Sequence, residues 1–472
     1  MNRLQKLWNR FFGNALPSNR RQFNEIPRDK FNIAIRHPWV RRKLVTVSVE
    51  QDTEGSHYHG ILNTLANDCV GPSPVLIGGA SNPNVNTDIE DKWVKFCQEN
   101  SIGSSIRLLR RAAARTGIGI GIPYKSTTSH EVKLGLRVVS SIKLQSPRNA
   151  AGDPYWVDGI YYNKNWEPEE ICFDTEEQYK VKDIILWWKN KYEDQICGIP
   201  ECSPAMCIFP SVKRYLDAII RSAEFRASIP MALRLDPNIW GKDAAEAVGM
   251  PEGNFEYEPG MVPTLPPGTT LEALSYSGLT TDDTSALDAM VGAAARCVNM
   301  PLNLATGNSS KHNMASSQVD FGPWKNTVLI DREDFSPAIH QLIRLWLQGA
   351  KQQQGYLTPV TRRFIDEEGL LYSLSYSQVF NHPDPQKISN STATDLSTGA
   401  MTLVRYYTER GRNPRRELQR EAELLEIEYS DLCQILLTGR TPAAANILEP
   451  QEETNGQDPS SSEDETSDVE EQ

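Results

Sequence analysis

No stretch of the sequence approaches the roughly 20 consecutive apolar residues that span a bilayer, so a soluble chain without a membrane partner is expected. The eight cysteines are scattered along 472 residues. No secretory signal precedes them, and there is no CxxC knuckle to turn two thiolates toward a structural zinc ion. The closely spaced Cys197, Cys202 and Cys207 therefore read as reduced thiols of a cytosolic setting. HExxH and Gly-x-Ser-x-Gly are both lacking. The seven histidines are dispersed, and the pair His57 and His59, at strand spacing, supplies at most two metal ligands. One run, Gly117-Ile-Gly-Ile-Gly-Ile-Pro-Tyr-Lys125-Ser126, has the outline of a phosphate loop. Such a loop needs glycine directly before the lysine and a helix after it; here Pro123 and Tyr124 intervene, and a glycine-rich strand or turn is expected. Catalytic groups, metals and cofactors are not called for.

Charge is present but segregated. The formal net charge is -12, yet residues 1–44 carry eleven Lys or Arg against two acids and residues 449–472 carry ten acids and no base. Without that acidic end the chain stands near -2, so the overall charge says little about partners. Hydrophobic residues at 39% and charged residues at 23% are those of a folded chain, and the length allows two to four packed units.

Leu4, Leu7, Trp8, Phe11 and Phe12 recur at helical spacing among Arg3, Lys6 and Arg10. This is a short basic amphipathic helix, for docking on a partner or membrane surface or for packing on its own domain. From Lys43 to Ile199 helical patterns around Glu90–Gln98 and Ile106–Ala114 precede strand-like alternation over Glu131–Val139 and Trp156–Tyr162, an α+β unit. Ser203-Pro204 then has the form of a helix start. Ile208, Val212, Tyr215, Leu216, Ile219 and Ala223 follow at intervals of three and four, with Lys213, Arg214, Arg221 and Arg226 between them, a long helix with one apolar and one basic face.

A Gly/Pro-rich passage with Asn238–Trp240, Phe255–Pro259 and Leu265–Gly268 reads as short strands and turns. A second helix is expected from Asp282 to Asn299, with Asp282 and Asp283 suited to its N-terminal dipole and small residues Ala286, Ala289, Gly292, Ala293, Ala294 and Ala295 allowing close approach. Asn303–Asn313, polar and bearing Lys311 and His312, is expected to be a mobile loop. A helical tract from Ala315 should be broken near Pro323 and Pro337, with further helices at Gln386–Arg410 and Pro414–Tyr429. The Ser-rich acidic end beyond Glu449 offers almost nothing to bury and is expected to be disordered.

Several short blocks carry a family likeness. Cys197-Gly-Ile-Pro200 with Ser203-Pro204 and Lys213–Ala218, Leu265-Pro-Pro-Gly268, Met300-Pro-Leu302 with Asn313-Met-Ala-Ser-Ser317, and Asp384-Pro-Gln-Lys387 with Gly399–Thr402 and Tyr407–Gly411 stand in the order of lambda-type tailed-phage portal proteins. The sequence resembles that family from about Asp183 to Glu428, departing from it at Gln318, where an arginine is frequent, and at the Gly117 run, where Gly-Glu is more usual.

The resemblance implies an α+β, mainly α portal fold with wing, stem, clip and crown regions that assembles as a dodecameric ring. It divides the chain into a basic arm (1–44), wing (45–202), first stem helix (203–228), clip (229–278), second stem helix (279–299), tunnel loop (300–314), wing helix and returning strands (315–380), crown (381–445) and acidic tail (446–472). Asn303, Asn308, Lys311, His312 and Asn313 would face double-stranded DNA. Lys213, Arg214, Arg221 and Arg226 would face DNA or form inter-subunit ion pairs. Asp282, Asp283 and Asp288 would repel phosphate or serve their own helix terminus. The implied partners are terminase, neck or tail adaptor, and capsid protein or scaffold. The place is the capsid vertex of a virion, reached through the host cytoplasm. The alternatives are an NTP-dependent nucleic-acid motor using the Gly117 run, or a membrane or partner adaptor using the first helix.

Overall fold

The computed structural model describes residues 38–438, apart from 127–131, 133, 151–152, 194, 228–230, 236–268, 274–280, 311–313 and 380–384. The expected amphipathic segment at residues 4–12 and the acidic end lie outside these residues. The chain divides between Asn381 and His382 into two compact units, mainly helical with small antiparallel sheets.

The first unit opens with helices α1 (Pro38–Glu54) and α2 (Ser56–Val70), neither of which was marked by the periodicity. α2 buries Tyr58, Ile61, Leu62, Leu65, Ala66, Cys69 and Val70, a stripe at intervals of three and four. After strand β1 (Val75–Gly78), helix α3 (Pro83–Glu99) starts with Asn82 accepting the Asn84 amide at 3.0 Å and proline in the first turn, a favoured combination. Helix α4 (Ile102–Thr116) ends at Gly117 with φ 87°, where a Cβ is unfavourable. α3 and α4 contain the two expected helical patterns.

Strands β2 (Gly119–Lys125) and β3 (Leu134–Ser140) pair antiparallel from Gly119↔Ser140 to Lys125↔Leu134. The expected single strand Trp156–Tyr162 is a hairpin, β4 (Trp156–Val157) and β5 (Ile160–Tyr162). The reason is Asp158-Gly159, with φ 50° and 82°: two left-handed residues form the tight turn that matches strand twist, and Asp-Gly is a preferred sequence for it. Strands β6 (Pro168–Cys172) and β7 (Gln178–Lys180) extend that sheet in the order β4-β5-β6-β7. Strand β8 (Ile185–Trp187) completes a second sheet, β3-β2-β8.

Ser203-Pro204 opens only a 3-10 turn, Ser203–Ala205, without a side-chain cap; the long helix α5 (Phe209–Ala227) starts six residues later. Pro210 has no amide to offer residue 206, so the continuous ladder is set from the first turn that contains it. Strands β9 (Met231–Leu235) and β10 (Thr269–Ala273) pair antiparallel, and helix α6 (Thr281–Ala295) returns, passing through a 3-10 turn to left-handed Asn299. A short helix α7 (Leu302–Thr306) occupies the start of the expected loop.

Helix α8 (Met314–Gln352) runs unbroken through Pro323 and Pro337, contrary to the expected breaks. An interior proline costs about 3 kcal/mol, but α8 buries Trp324, Val328, Phe335, Ile339, Leu342, Ile343 and Trp346, each contributing roughly 1.5–3 kcal/mol. The Glu333 carbonyl, deprived of an amide by Pro337, accepts the Ser336 hydroxyl at 2.9 Å instead. Helix α9 (Pro359–Glu368) and strand β11 (Tyr372–Ser375) close the unit, β11 pairing with β1.

Three apolar clusters fill this unit. One lies among α3, α4, α8 and β8, around Trp93, Trp187, Phe335 and Trp346. Another lies among α2 and the roots of α5 and α6, around Tyr58, Phe209, Ala294 and Trp324. The third joins β2 to β5 and β6 through Ile120, Ile160 and Ile171.

The second unit contains helices α10 (Pro385–Ser397), α11 (Leu403–Glu409), α12 (Pro414–Leu425) and α13 (Tyr429–Thr438). The tract expected to run from Gln386 to Arg410 is two helices, divided at Gly399 with φ 76°. Leu418, Ala422 and Leu432 form its core.

Candidate functional site

α5 and α6 are rooted in the core and leave it together. The Phe209 ring meets Tyr58 edge-on at 4.7 Å and Val212 is buried, whereas Asp217, Ala218 and Ile220–Glu224 are exposed, Ile220 to 54%. In α6 the order reverses with chain direction. Val291, Ala294 and Ala295 are buried at its end, while Ala286, Ala289 and Ala293 are exposed. The helices thus pack at their roots and present small, apolar and charged residues beyond them. The β9-β10 ribbon closes the connection between them, in register from Met231↔Ala273 to Leu235↔Thr269. The blocks at Asn238, Phe255 and Leu265 lie outside the described residues.

The root is held by a buried charge cluster. Arg110 of α4, fully buried, donates to Asp331 of α8 at 2.9 and 3.0 Å and to Glu201, just before the 3-10 turn, at 2.5 and 3.1 Å. Lys189 adds a contact to Asp331 at 3.0 Å, and Lys191 donates to the Glu201 carbonyl at 2.5 Å. Burial acts to raise the Asp331 carboxyl, but the charges of Arg110 and Lys189 prevail and hold it below the ordinary carboxylate value. The Arg110 guanidinium lies 5.3 Å from the Trp187 ring centre. The segment entering α5 is thereby fixed to two core helices at once.

A second cluster fixes the same segment from the other side. Arg41 of α1 donates to the Gly198 carbonyl at 2.8 Å and to Ser141 at 3.0 Å, and it also binds Asp158 in the β4-β5 turn. At Gly198 the backbone crosses that of Gly117 so closely that a Cβ would stand 2.0 Å from the Gly117 oxygen.

The candidate cations divide by surroundings. Lys213 pairs with Glu54 of α1 at 2.7 Å, and that hydrogen bond raises its pKa. Arg214 turns back on its own helix, to Pro210 at 3.3 Å and Ser211 at 3.0 Å. Arg221 is exposed and Arg226 lies near the end of α5. Asp282 and Asp283 follow Thr281 at the start of α6, and Asp288 is half-buried along it.

Asn303 is only 5% exposed and accepts the Leu304 amide at 2.9 Å, which separates it from the exposed loop positions Gly307–Ser310. Within that loop Asn308 accepts the Ser310 amide at 2.9 Å. Lys311, His312 and Asn313 lie outside the described residues.

The phosphate-loop outline is a strand. A Cβ at Gly119 would stand 2.9 Å from the Leu109 carbonyl oxygen and one at Gly121 would stand 3.0 Å from Leu136 of β3, so Gly119 lets β2 lie close against α4 and Gly121 leaves room for the Leu136 side chain. Lys125 ends the strand opposite Leu134. His57 and His59 stand on a helix, not a strand: His59 contacts Asp52 at 3.0 Å, while burial lowers the pKa of His57. Among the described residues no three or more His, Cys, Asp or Glu side chains are grouped to hold a metal ion, and no helix is long and apolar enough to cross a membrane. The two arginine clusters escaped the sequence reading, although Arg110 had a signal, a guanidinium set within the apolar stripe Ile106, Leu109 and Ala113.

Comparison with curated proteins returned no match. Among solved structures the chain is similar to one titled as the virion of a native gene transfer agent particle, at 13% identity and TM-score 0.44 over 82% of this chain and 94% of that one. It is also similar to one titled as the neck of an empty such particle computed with C6 symmetry, at 12% identity and TM-score 0.45 over 81% and 94%. A third, titled as the neck of a native particle computed with C12 symmetry, shares 12% identity and TM-score 0.38 over 85% and 94%. A family model described as phage portal protein, lambda family, matches residues 40–322, which takes in α1 to α7, the helical pair, its ribbon and the loop. That match covers more than half of the chain, which belongs to the lambda family of phage portal proteins.

Proposed function

We propose that this chain is the structural portal subunit of a tailed-phage-type particle. Copies form a ring, expected to be a dodecamer, at one capsid vertex. Viral double-stranded DNA is packaged and ejected through its central channel, and the ring docks terminase, neck or tail adaptor, and capsid protein or scaffold. The observation that carries this reading is the pair α5 and α6, anchored at the root and carrying exposed residues beyond it. Ile220, Ala286, Ala289 and Ala293 are exposed in the single chain, which suits side-by-side contact with the same helices of neighbouring copies around a closed ring.

In this assignment α5 and α6 are the stem and residues 229–278 the clip. Residues 45–202 and 315–380 form the wing, and the second unit lies in the crown. A channel must pass a polyanion without retaining it, because each neutralised phosphate adds salt-dependent affinity. A body near neutrality with isolated cations suits that task. We assign DNA contact to the loop after α7, through Asn308, Lys311, His312 and Asn313, repeated around the ring. Asn303 is left out because it is buried. Arg221 and Arg226 on α5 are assigned to the channel or to inter-subunit pairs, with Asp282, Asp283 and Asp288 on the facing helix. The portal family is structural, and the energy for packaging is assigned to a separate terminase.

Lys311→Ala is expected to leave ring formation intact while altering packaging or retention of DNA, measured as genome content per particle. Rings that no longer form would show that the loop belongs to the assembly contacts instead, and unchanged packaging would remove Lys311 from the channel.

A further inference from the structure

The second unit concentrates its arginines. Between residues 405 and 420 stand Arg405, Arg410, Arg412, Arg415, Arg416 and Arg420 against Glu409 and Glu417, whereas residues 421–431 carry five acids and no base. This order opposes the dipole of α12. Its first turn holds Arg415 and Arg416 beside a single acid, Glu417, and its last turn holds no base, although anions are favoured at the first end and cations at the second.

The same helix end holds donors without acceptors. Asn413, 6% exposed, accepts the Arg416 amide at 3.2 Å through Oδ1, but its Nδ2 is buried with no acceptor, as is Nη1 of Arg415. A buried donor left unmatched is costly, and two of them at one helix end form a place that lacks an anion. The exposed pairs nearby, Arg405 with Glu409 at 2.8 Å and Arg412 with Glu417 at 3.8 Å, are of the weak kind that exchanges readily.

We propose that the acidic segment 449–472 of this chain docks on the arginine-rich stretch 405–420 that runs through α11 and α12, with a carboxylate at the Asn413–Arg415 end. The segment carries ten acids and no base and begins eleven residues after Thr438. A connection of that length reaches up to about 36 Å, against roughly 18 Å for the twelve residues of α12. Tethering supplies an effective concentration on the order of millimolar, an advantage over any free polyanion. The acidic segment thereby shields a stretch that would otherwise attract nucleic acid. This proposal concerns the second unit alone and stands or falls separately from ring formation.

The test compares the full chain with a chain ending at Leu448, each titrated with a labelled peptide of residues 449–472 at low and at physiological salt. The shortened chain should bind the peptide, and the full chain should bind it about tenfold more weakly or less, because its own segment competes. Arg415→Gln, Arg416→Gln and Arg420→Gln together should weaken binding to the shortened chain at least tenfold with circular dichroism unchanged. Should that triple variant unfold, Arg405→Gln with Arg412→Gln and Arg420→Gln, which spares the cap, should still weaken binding severalfold. Equal binding by full and shortened chains, no binding at low salt, or indifference to the substitutions would overturn the proposal. So would capture of a 20-base-pair duplex by the shortened chain that the peptide cannot displace, since the stretch would then be a nucleic-acid site.

Discussion

Replacing Arg110 with alanine is expected to lower folding stability by about 3–5 kcal/mol, because it leaves two carboxylates buried without their counter-charge. Glu201 and Asp331 are both almost wholly enclosed; Lys189 and Lys191 remain in contact with them, and Arg332 stands near Asp331. The variant is best measured by urea denaturation of the full chain. A loss under about 1 kcal/mol, the range of exposed ion pairs, would contradict the burial described here.

Acid dependence supplies a second reading of the same change. In the folded chain Asp331 is held below its ordinary value by Arg110 and Lys189 against the effect of burial. Its contribution is therefore fully present above the unfolded carboxylate pKa, about 3.9, and is lost as pH falls through the lower folded value. Without Arg110, burial acts on the carboxyl with one depressing charge fewer and its folded pKa rises. The stability gap between native chain and variant should then be widest near neutrality and should narrow below about pH 4.

The other large effect is expected at Trp346. It is fully buried, with Trp93 at 5.3 Å and 76° and Phe96 at 6.1 Å. Truncation to alanine empties the centre of the cluster joining α3 to α8 and should cost about 3–5 kcal/mol. Trp346→Phe should cost less than about 1.5 kcal/mol, since it keeps most of the ring volume and removes an indole N–H that is buried without a hydrogen-bond partner. Similar losses in both variants would mean that the indole nitrogen has a structural role not visible in its surroundings. Both are read from denaturation midpoints.

Periodicity made α3, α4 and α5 legible because each has a long apolar stripe against a polar face, whereas α6 was legible from the acids at its N-terminal end and its run of small residues. It failed at α1, where Val45-Thr46-Val47-Ser48-Val49 has the composition of a strand and becomes helical through packing on α2 and α4, a case of tertiary context overriding propensity. It also failed at Pro323 and Pro337, since local rules do not weigh the buried face of α8 against the missing amides. The hairpin at Asp158-Gly159 was legible in principle from the dipeptide itself. The arginine clusters were not. Arg110 meets Glu201 across 91 positions and Asp331 across 221, and nothing in one sequence announces a pairing that only the fold creates. For the loop proposed to face DNA, the sequence placed a polar segment after Pro301 but not the helical turn within it that buries Asn303.

Electron microscopy of the purified full chain tests ring formation most directly. Closed rings with a central opening roughly 30–40 Å wide, enough for a duplex with clearance, are expected. Only monomers and dimers, at every concentration examined, would contradict the assignment of α5 and α6 to a channel wall.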